Sequence, residues 1–276
     1  MFRPQTLSSH RLVVVSIIGL AGVAATVGIW LNTVRQENAR VAEEFQRRAI
    51  AQAHVAREQI LLYPELLENL RTIGSFSNPV FRAMLGSSFR NLIRRHPAIA
   101  VMEWVPAVPQ SERERFERRT TYQLGTPYVI RQKRPDNTWE PAPLADYYYP
   151  IQLAVPLEGN EQIIGYDIRN APTAKFLEQA RATRSLVATP QFRLAQANEP
   201  DDDLGTILIM PVFGQLLGEE TDEFRGFIQC VFKIHEALAQ LHQGVANDAL
   251  LLYYEDASAT GEERRVMYAN LAGYEP

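Results

Sequence analysis

One cysteine in 276 residues, Cys230, leaves this chain without an intrachain disulfide, a multi-cysteine metal centre or a CxxC redox pair. Its neighbours Phe227, Ile228, Val231 and Phe232 mark it as a small buried hydrophobe. The five histidines, His10, His54, His96, His235 and His242, are scattered. Only the last two share a helical face, and they stand too far apart for one metal ion. Glycine is as dispersed: Gly214, Gly218 and Gly226 do not form a phosphate loop opening into a helix. No GxSxG turn occurs, and Asp201-Asp202-Asp203 lacks the alternating ligands and closing glutamate of a calcium loop, so it reads as a solvated acidic turn. Lysine and arginine total 28 against 32 acidic residues with no basic block, so nucleic acid is not an expected partner. These absences predict no catalytic residue, no metal and no cofactor.

What is present begins with one long apolar run. Leu12–Leu31 carries no charge and is about twenty residues long, enough to cross a hydrocarbon core as a helix, with Trp30 suited to the interface. A cleaved signal peptide has a core of about 7–15 residues and a small-x-small site, so an uncleaved signal anchor is the better reading. Arginines flank both sides of the run, and charge alone does not orient it. The segment order expected is a cytoplasmic 1–11, a span over 12–31, a stalk helix over 32–75, a sensor unit over 76–234 and the start of a second unit over 235–276.

The stalk pattern rests on Val34, Val41, Phe45, Ala49, Ala53, Ala56 and Ile60, one apolar stripe at spacings of seven, four and three. Two partners fit it: the same stripe of a second protomer, giving a parallel dimer, or the chain's own core. Pro64 is expected to bend or restart the helix, which resumes to Ile73. Phe81–Ile93 predicts a second helix ending at His96-Pro97. Ile99–Val105 predicts a strand, and Ser111 with Glu114 a capping box opening a charged helix, Glu112–Arg119, whose arginines pair with interleaved glutamates. Strands follow at Tyr128–Arg131, Val187–Leu194, Thr206–Phe213, Gly226–Ile234, Leu250–Tyr254 and Arg265–Tyr268, with helices at Pro172–Ala182 and His235–Gln243. The fold class is α+β, antiparallel strands with helices between them.

Tyr147–Pro172, YYYPIQLAVPLEGNEQIIGYDIRNAP, reads as a hairpin with Gly159-Asn160 as a two-residue turn. That turn sets the register: Pro156 opposite Ile163, Ala154 opposite Gly165, Gln152 opposite Asp167, and on the other surface Val155 with Ile164, Leu153 with Tyr166, Ile151 with Ile168. Asp167 then lies among apolar neighbours beside space left by Gly165 and Ala154. A carboxylate there needs a donor or a ligand, because burying it unpaired is costly. It either orients a small molecule in a pocket, or caps the following helix, or pairs with Arg169 or Arg181.

HPAIAVMEWVPAV, SERERFE, YYYPI followed by GN and GYDI, ARATR leading to VATPQFRL, LGTILIMPVF and RGFIQCVFKI occur in this order across Phe81–Ile234 behind an anchor and a long helix. In this the sequence resembles the CHASE domain, the extracytoplasmic sensory module of receptor histidine kinases and nucleotide-cyclase-type receptors. The resemblance implies a stalk helix and two PAS-like units, the membrane-distal one complete here and the proximal one partial. It implies a small-molecule ligand, an inner-membrane receptor with its sensor in the periplasm, and a two-component kinase or a cyclase output beyond a second span. In plant cytokinin-receptor members the aspartate of the GYDI strand contacts an adenine-type ligand, which falls on Asp167, and backbone contacts come from the residue before a threonine, here Ala188 beside Thr189. Gln152, Tyr148 and Met210 complete the expected ligand-binding set. The family pattern usually has glycine where Arg184 stands and a proline immediately before the phenylalanine, whereas Pro190 here precedes Gln191-Phe192. A second reading is a membrane-anchored interaction protein with a vestigial pocket and a stalk that recruits a partner.

Overall fold

The computed structural model describes residues 9–74, 80–193, 204–216, 219–234, 236–237, 253–255 and 266–269. The chain divides into two compact units, Met1–Arg57 and Glu58–Pro276. Helix α1 (Ser9–Gly74) makes up the first unit and enters the second. In the first unit Val13, Ile18, Leu20, Val23 and Ile29 are all exposed, and among the described residues this is the one helix long and apolar enough to cross a membrane. Thr26 and Thr33 turn their hydroxyls back onto the carbonyls of Gly22 (2.8 Å) and Ile29 (2.9 Å), so neither polar group is left bare on the apolar stretch. Val34, Val41 and Phe45 of the stripe are exposed too, and Arg48 pairs with Glu44 beside it.

In the second unit α1 does not break at Pro64. Tyr63, on one side of the proline, packs edge-on against Phe232 at 4.4 Å, and Leu67 and Leu70, on the other, are buried. Packing on both sides offsets the missing helical hydrogen bond. The elements that follow are α2 (Val80–Arg95), β1 (Ile99–Pro106), β2 (Val108–Pro109), α3 (Arg113–Leu124), β3 (Arg131–Lys133), β4 (Trp139–Pro141), β5 (Tyr147–Tyr148), β6 (Leu153–Val155), α4 (Ala174–Thr183), β7 (Val187–Ala188), β8 (Phe192–Arg193), β9 (Leu204–Leu216), β10 (Glu219–Lys233), β11 (Tyr253–Glu255) and β12 (Val266–Ala269).

The main sheet runs β6-β1-β10-β9-β7, every pair antiparallel, with β8 on the beginning of β9. Strand alternation divides its residues between two faces. Met102, Trp104, Val155, Met210, Ile228, Cys230 and Phe232 join Leu67, Leu70, Leu85 and Phe89 in one core, so the end of α1 and helix α2 cover that face. Val101, Val105, Ala154, Ile209, Phe227 and Val231 join Tyr149, Ile151, Ile168, Leu177 and Ala180 in the other. A third cluster, Val108, Phe116, Tyr128, Ile130, Ala142 and Tyr148, seats α3 against the short pairs β2–β5 and β3–β4.

The α+β expectation holds, and β1 begins and α2 ends where the sequence placed them. Cys230 is buried and free, as expected. Besides the break expected at Pro64, four local expectations give way. Ser111 forms no capping box: it sits in a 3-10 turn, Gln110–Glu112, and α3 begins at Arg113 with no side-chain cap. The strand expected at Tyr128–Arg131 shifts to Arg131–Lys133, because Tyr128 and Ile130 give their N–H groups to Thr121 and Glu117 of α3 instead of a strand. Val187–Leu194 splits into β7 and β8 around Pro190, which cannot donate to a ladder.

The fourth concerns the hairpin. β6 gives its backbone to β1, with Ala154 opposite Glu103. The connection is longer than two residues and contains a 3-10 turn at Glu161–Ile163, held by the Asn160 side chain donating to the Pro156 carbonyl (3.0 Å). Asp167 therefore stands opposite Pro150, two residues from the expected Gln152. The space expected at Gly165 is filled by the Val129 carbonyl, 2.4 Å from where a Cβ would stand. Of the expected helix His235–Gln243 only 236–237 are described, and they are helical. The acidic turn Asp201–Asp203 and most of the segment 235–276 lie outside the described residues; β11 and β12 of that segment form an antiparallel pair.

Candidate functional site

The backbone from Gly165 to Asp167 is pinned on both sides. Asp167 N donates to Arg131 O (2.8 Å) and Arg131 N to Gly165 O (2.9 Å), while Ile151 N donates to Tyr166 O (3.0 Å) and Gly165 N to Ile151 O (2.8 Å). The carboxylate so placed is fully buried. Its Oδ1 accepts from Tyr149 N (2.9 Å) and Arg169 N (3.2 Å), which makes Asp167 the cap of the 3-10 turn Ile168–Asn170. Oδ2 lies 3.3 Å from Arg169 Nη2 but makes no hydrogen bond, and the buried Arg169 Nε has none either. Of the roles open to Asp167, capping and pairing with Arg169 are visible in the structure, and one oxygen keeps acceptor capacity in a buried place.

Tyr149 joins Asp167 to the second face of the sheet. Its N–H serves the carboxylate, its ring meets Phe227 edge-on at 5.3 Å, and its phenol accepts from Arg181 Nη1 (3.0 Å). Burial raises the phenol pKa, with the Arg181 charge opposing, so the hydroxyl is a neutral donor at physiological pH. The Arg181 guanidinium also lies over Phe224 at 5.0 Å.

The expected site residues do not all meet. Tyr148 points into the third cluster: its hydroxyl takes hydrogen bonds from Arg113 Nη1 (3.1 Å) and Ala145 N (3.1 Å) and donates among the Pro143 carbonyl and Gln110 Oε1. Gln152 is buried and donates to Thr120 Oγ1 (3.1 Å). Thr189 is buried, and its hydroxyl accepts from Ile207 N (3.0 Å), serving the β9 backbone. Ala188 is exposed and pairs with Leu208. Met210 lies in the first core, across the sheet from Tyr149 and Ile168, because even and odd positions of β9 face opposite ways. Sequence reasoning missed Tyr149; it named Arg169 and Arg181 only as alternative partners of Asp167, and the structure pairs Arg169 with it. It also missed Glu103 and Gln229, buried opposite each other on β1 and β10, although a glutamate inside the apolar run IAVMEWV carries the same signal that singled out Asp167.

Arg184 ends α4 in the left-handed region, φ 53°, the conformation glycine adopts most easily. Its guanidinium bonds Asp222 (2.7 Å) and the Thr221 carbonyl (2.9 Å) and lies over Phe213 at 4.0 Å. An arginine where glycine is usual thus ties the helix end to β10.

A family model described as the CHASE domain matches residues 78–268. The chain belongs to the CHASE domain family. CHASE domains are extracytoplasmic sensor domains, and the apolar helix precedes this one in sequence. Among curated protein sequences none matches. Among solved structures the chain is similar to the ligand-binding domain of the Pseudomonas aeruginosa PAO1 amino acid chemoreceptor PctC in complex with GABA, at 14% identity and TM-score 0.38, covering 75% of this chain and 68% of that one. It is similar to the extracellular domain of mmHK1S-Z3 at 12% identity and TM-score 0.40, covering 74% and 63%. A third is methyl-accepting chemotaxis protein X, at 12% identity and TM-score 0.35, covering 72% and 68%.

Proposed function

We propose that this CHASE domain is the small-molecule-binding, periplasmic part of an inner-membrane receptor whose output is a cytoplasmic histidine kinase or cyclase. The family match over residues 78–268, behind one membrane-competent helix, is the observation that carries the proposal. Asp167 orients the ligand: its Oδ2 has capacity for a donor, and the side chain is held in one place by two backbone N–H groups. Tyr149 and Arg169 stand beside it, Arg181 reaches the Tyr149 hydroxyl, and Thr189 and Ala188 belong to the far wall of a PAS-like unit. The exposed stripe of Val34, Val41 and Phe45 pairs two protomers as a parallel stalk. A ligand transmits by binding one arrangement of that stalk more tightly than another, since only differential affinity shifts an equilibrium.

The test is thermal unfolding of the full chain in lipid nanodiscs against a library of small metabolites. A stabiliser whose effect is lost in Asp167→Asn is the expected result. A library without any stabiliser counts against sensing and favours a vestigial pocket.

A further inference from the structure

A cavity that Asp167 does not line lies at the β6 edge of the sheet. It measures about 520 Å³, within the roughly 300–1,000 Å³ typical of small-molecule sites. Leu124, Val129, Leu153, Leu157 and Ile164 give it apolar walls, and Arg131 is the one cationic side chain lining it. The wall formed by residues 128–131 is fixed before anything binds. Tyr128 N is held by Thr121 Oγ1 (2.9 Å), Ile130 N by Glu117 Oε1 (2.9 Å) and Arg131 N by Gly165 O (2.9 Å), while the Val129 carbonyl fills the place a Cβ of Gly165 would take. A cavity with pinned walls costs little reorganisation to fill.

Arg131 is as firmly set. Its Nε donates to Ile164 O (3.2 Å), its Nη2 to Gln162 O (2.8 Å), and its guanidinium lies 4.4 Å over the Trp139 ring. Both partners are neutral carbonyls, and among the described residues no carboxylate pairs with this half-buried charge. Arg113 and Arg134 of the same unit, by contrast, each pair with a carboxylate, Glu117 and Glu140. Burial lowers the Arg131 pKa, as expected for a cation lacking a counter-charge. Guanidinium is the side chain best shaped to take a planar carboxylate through its free N–H groups.

We propose that this cavity is a binding site for a small apolar carboxylate, its hydrocarbon body against Leu153, Leu157 and Ile164 and its carboxylate on Arg131. Glu161, exposed and also lining the cavity, selects a monoanion over a phosphate dianion by repulsion. The site goes beyond the Asp167 reading and does not depend on it.

The test is calorimetric titration of the full chain in zwitterionic nanodiscs with 4-phenylbutyrate and with its neutral amide, with empty discs as the blank. The carboxylate is expected to bind at least tenfold more tightly than the amide. Arg131→Gln should erase that preference, and Arg131→Lys should keep part of it while checking that the fold survives. Leu157→Trp, made at a half-exposed position, should block both probes by filling the mouth. Asp167→Asn should leave both unchanged. Equal binding of acid and amide, no binding, binding that survives Leu157→Trp, or binding lost in Asp167→Asn each overturns the proposal, and none of the first three touches the sensor reading at Asp167.

Discussion

Glu103 and Gln229 face each other across the two central strands of the sheet, on the face that carries Ala154 and Ile209, and both are buried. Gln229 Nε2 has no hydrogen-bond partner, and burial raises the Glu103 carboxyl to about 7. Two polar side chains without mutual charge balance, placed mid-sheet, cost stability that an apolar pair would not. The cost is pH-dependent, which makes it measurable.

Folded Glu103 keeps its proton up to about pH 7, whereas the unfolded chain releases it near the ordinary glutamate value of 4.5. Its contribution to stability is therefore whole below pH 4.5, falls between 4.5 and 7, and is flat above. The shift corresponds to about 3 kcal/mol across that window. Glu103→Gln, which cannot ionise, should remove this slope and stabilise the chain at pH 8 but hardly at pH 4.5. Chemical denaturation midpoints at the two pH values check it; an unchanged slope in the variant refutes the assignment.

Asp167 contributes to stability through its two backbone hydrogen bonds and its pair with Arg169. Asp167→Ala leaves Tyr149 N and Arg169 N without their acceptor and Arg169 without its counter-charge. A loss of about 2–4 kcal/mol is expected. Asp167→Asn keeps a carbonyl for the two N–H groups and should lose less than half as much. Urea unfolding of both variants measures the difference, and equal losses would mean that charge, not capping, holds the turn.

Arg113 serves four acceptors: Ala142 O (2.7 Å), Ile130 O (3.0 Å), Glu117 Oε1 (3.1 Å) and the Tyr148 hydroxyl (3.1 Å). A lysine reaches only part of this set, since it lacks the planar fork. Arg113→Lys should cost about 2–3 kcal/mol despite the kept charge. Combined with Tyr148→Phe the losses should fall short of additive by about 1 kcal/mol, because the two share one network. A double-mutant cycle in urea tests that coupling.

How much of this was legible in the sequence depended on the range of the interaction. β1 and α2 were readable because Ile99–Val105 and Phe81–Ile93 carry their own period and His96-Pro97 stops the helix. The buried Asp167 was readable because a carboxylate on an apolar strand is conspicuous. The hairpin register was not, because Gly159-Asn160 is a good local turn and only the distant β1 strand, taking up the backbone of Leu153–Val155, overrules it. Pro64 misled for the same reason: Phe232 and its neighbours hold the helix from far along the chain. Arg113 belongs by sequence to a charged helix; its pairing with Glu117 is visible at helical spacing, but its bonds to residues 130, 142 and 148 are not.

Gly165 and Gly125 separate backbone strain from steric exclusion. Both have positive φ, 86° and 70°, so any L residue pays a conformational cost of about 1–2 kcal/mol at either. At Gly125, which ends α3, a Cβ meets nothing within 4 Å. At Gly165 it meets the Val129 carbonyl at 2.4 Å, in a wall pinned on both sides that cannot retreat without breaking the hydrogen bonds of Tyr128, Ile130 and Arg131. Gly125→Ala should therefore lose about 1 kcal/mol and Gly165→Ala roughly two to three times as much. Urea midpoints of the two variants decide it: equal losses would show that the 128–131 wall yields, which would also remove the ground for treating the cavity beside it as preformed.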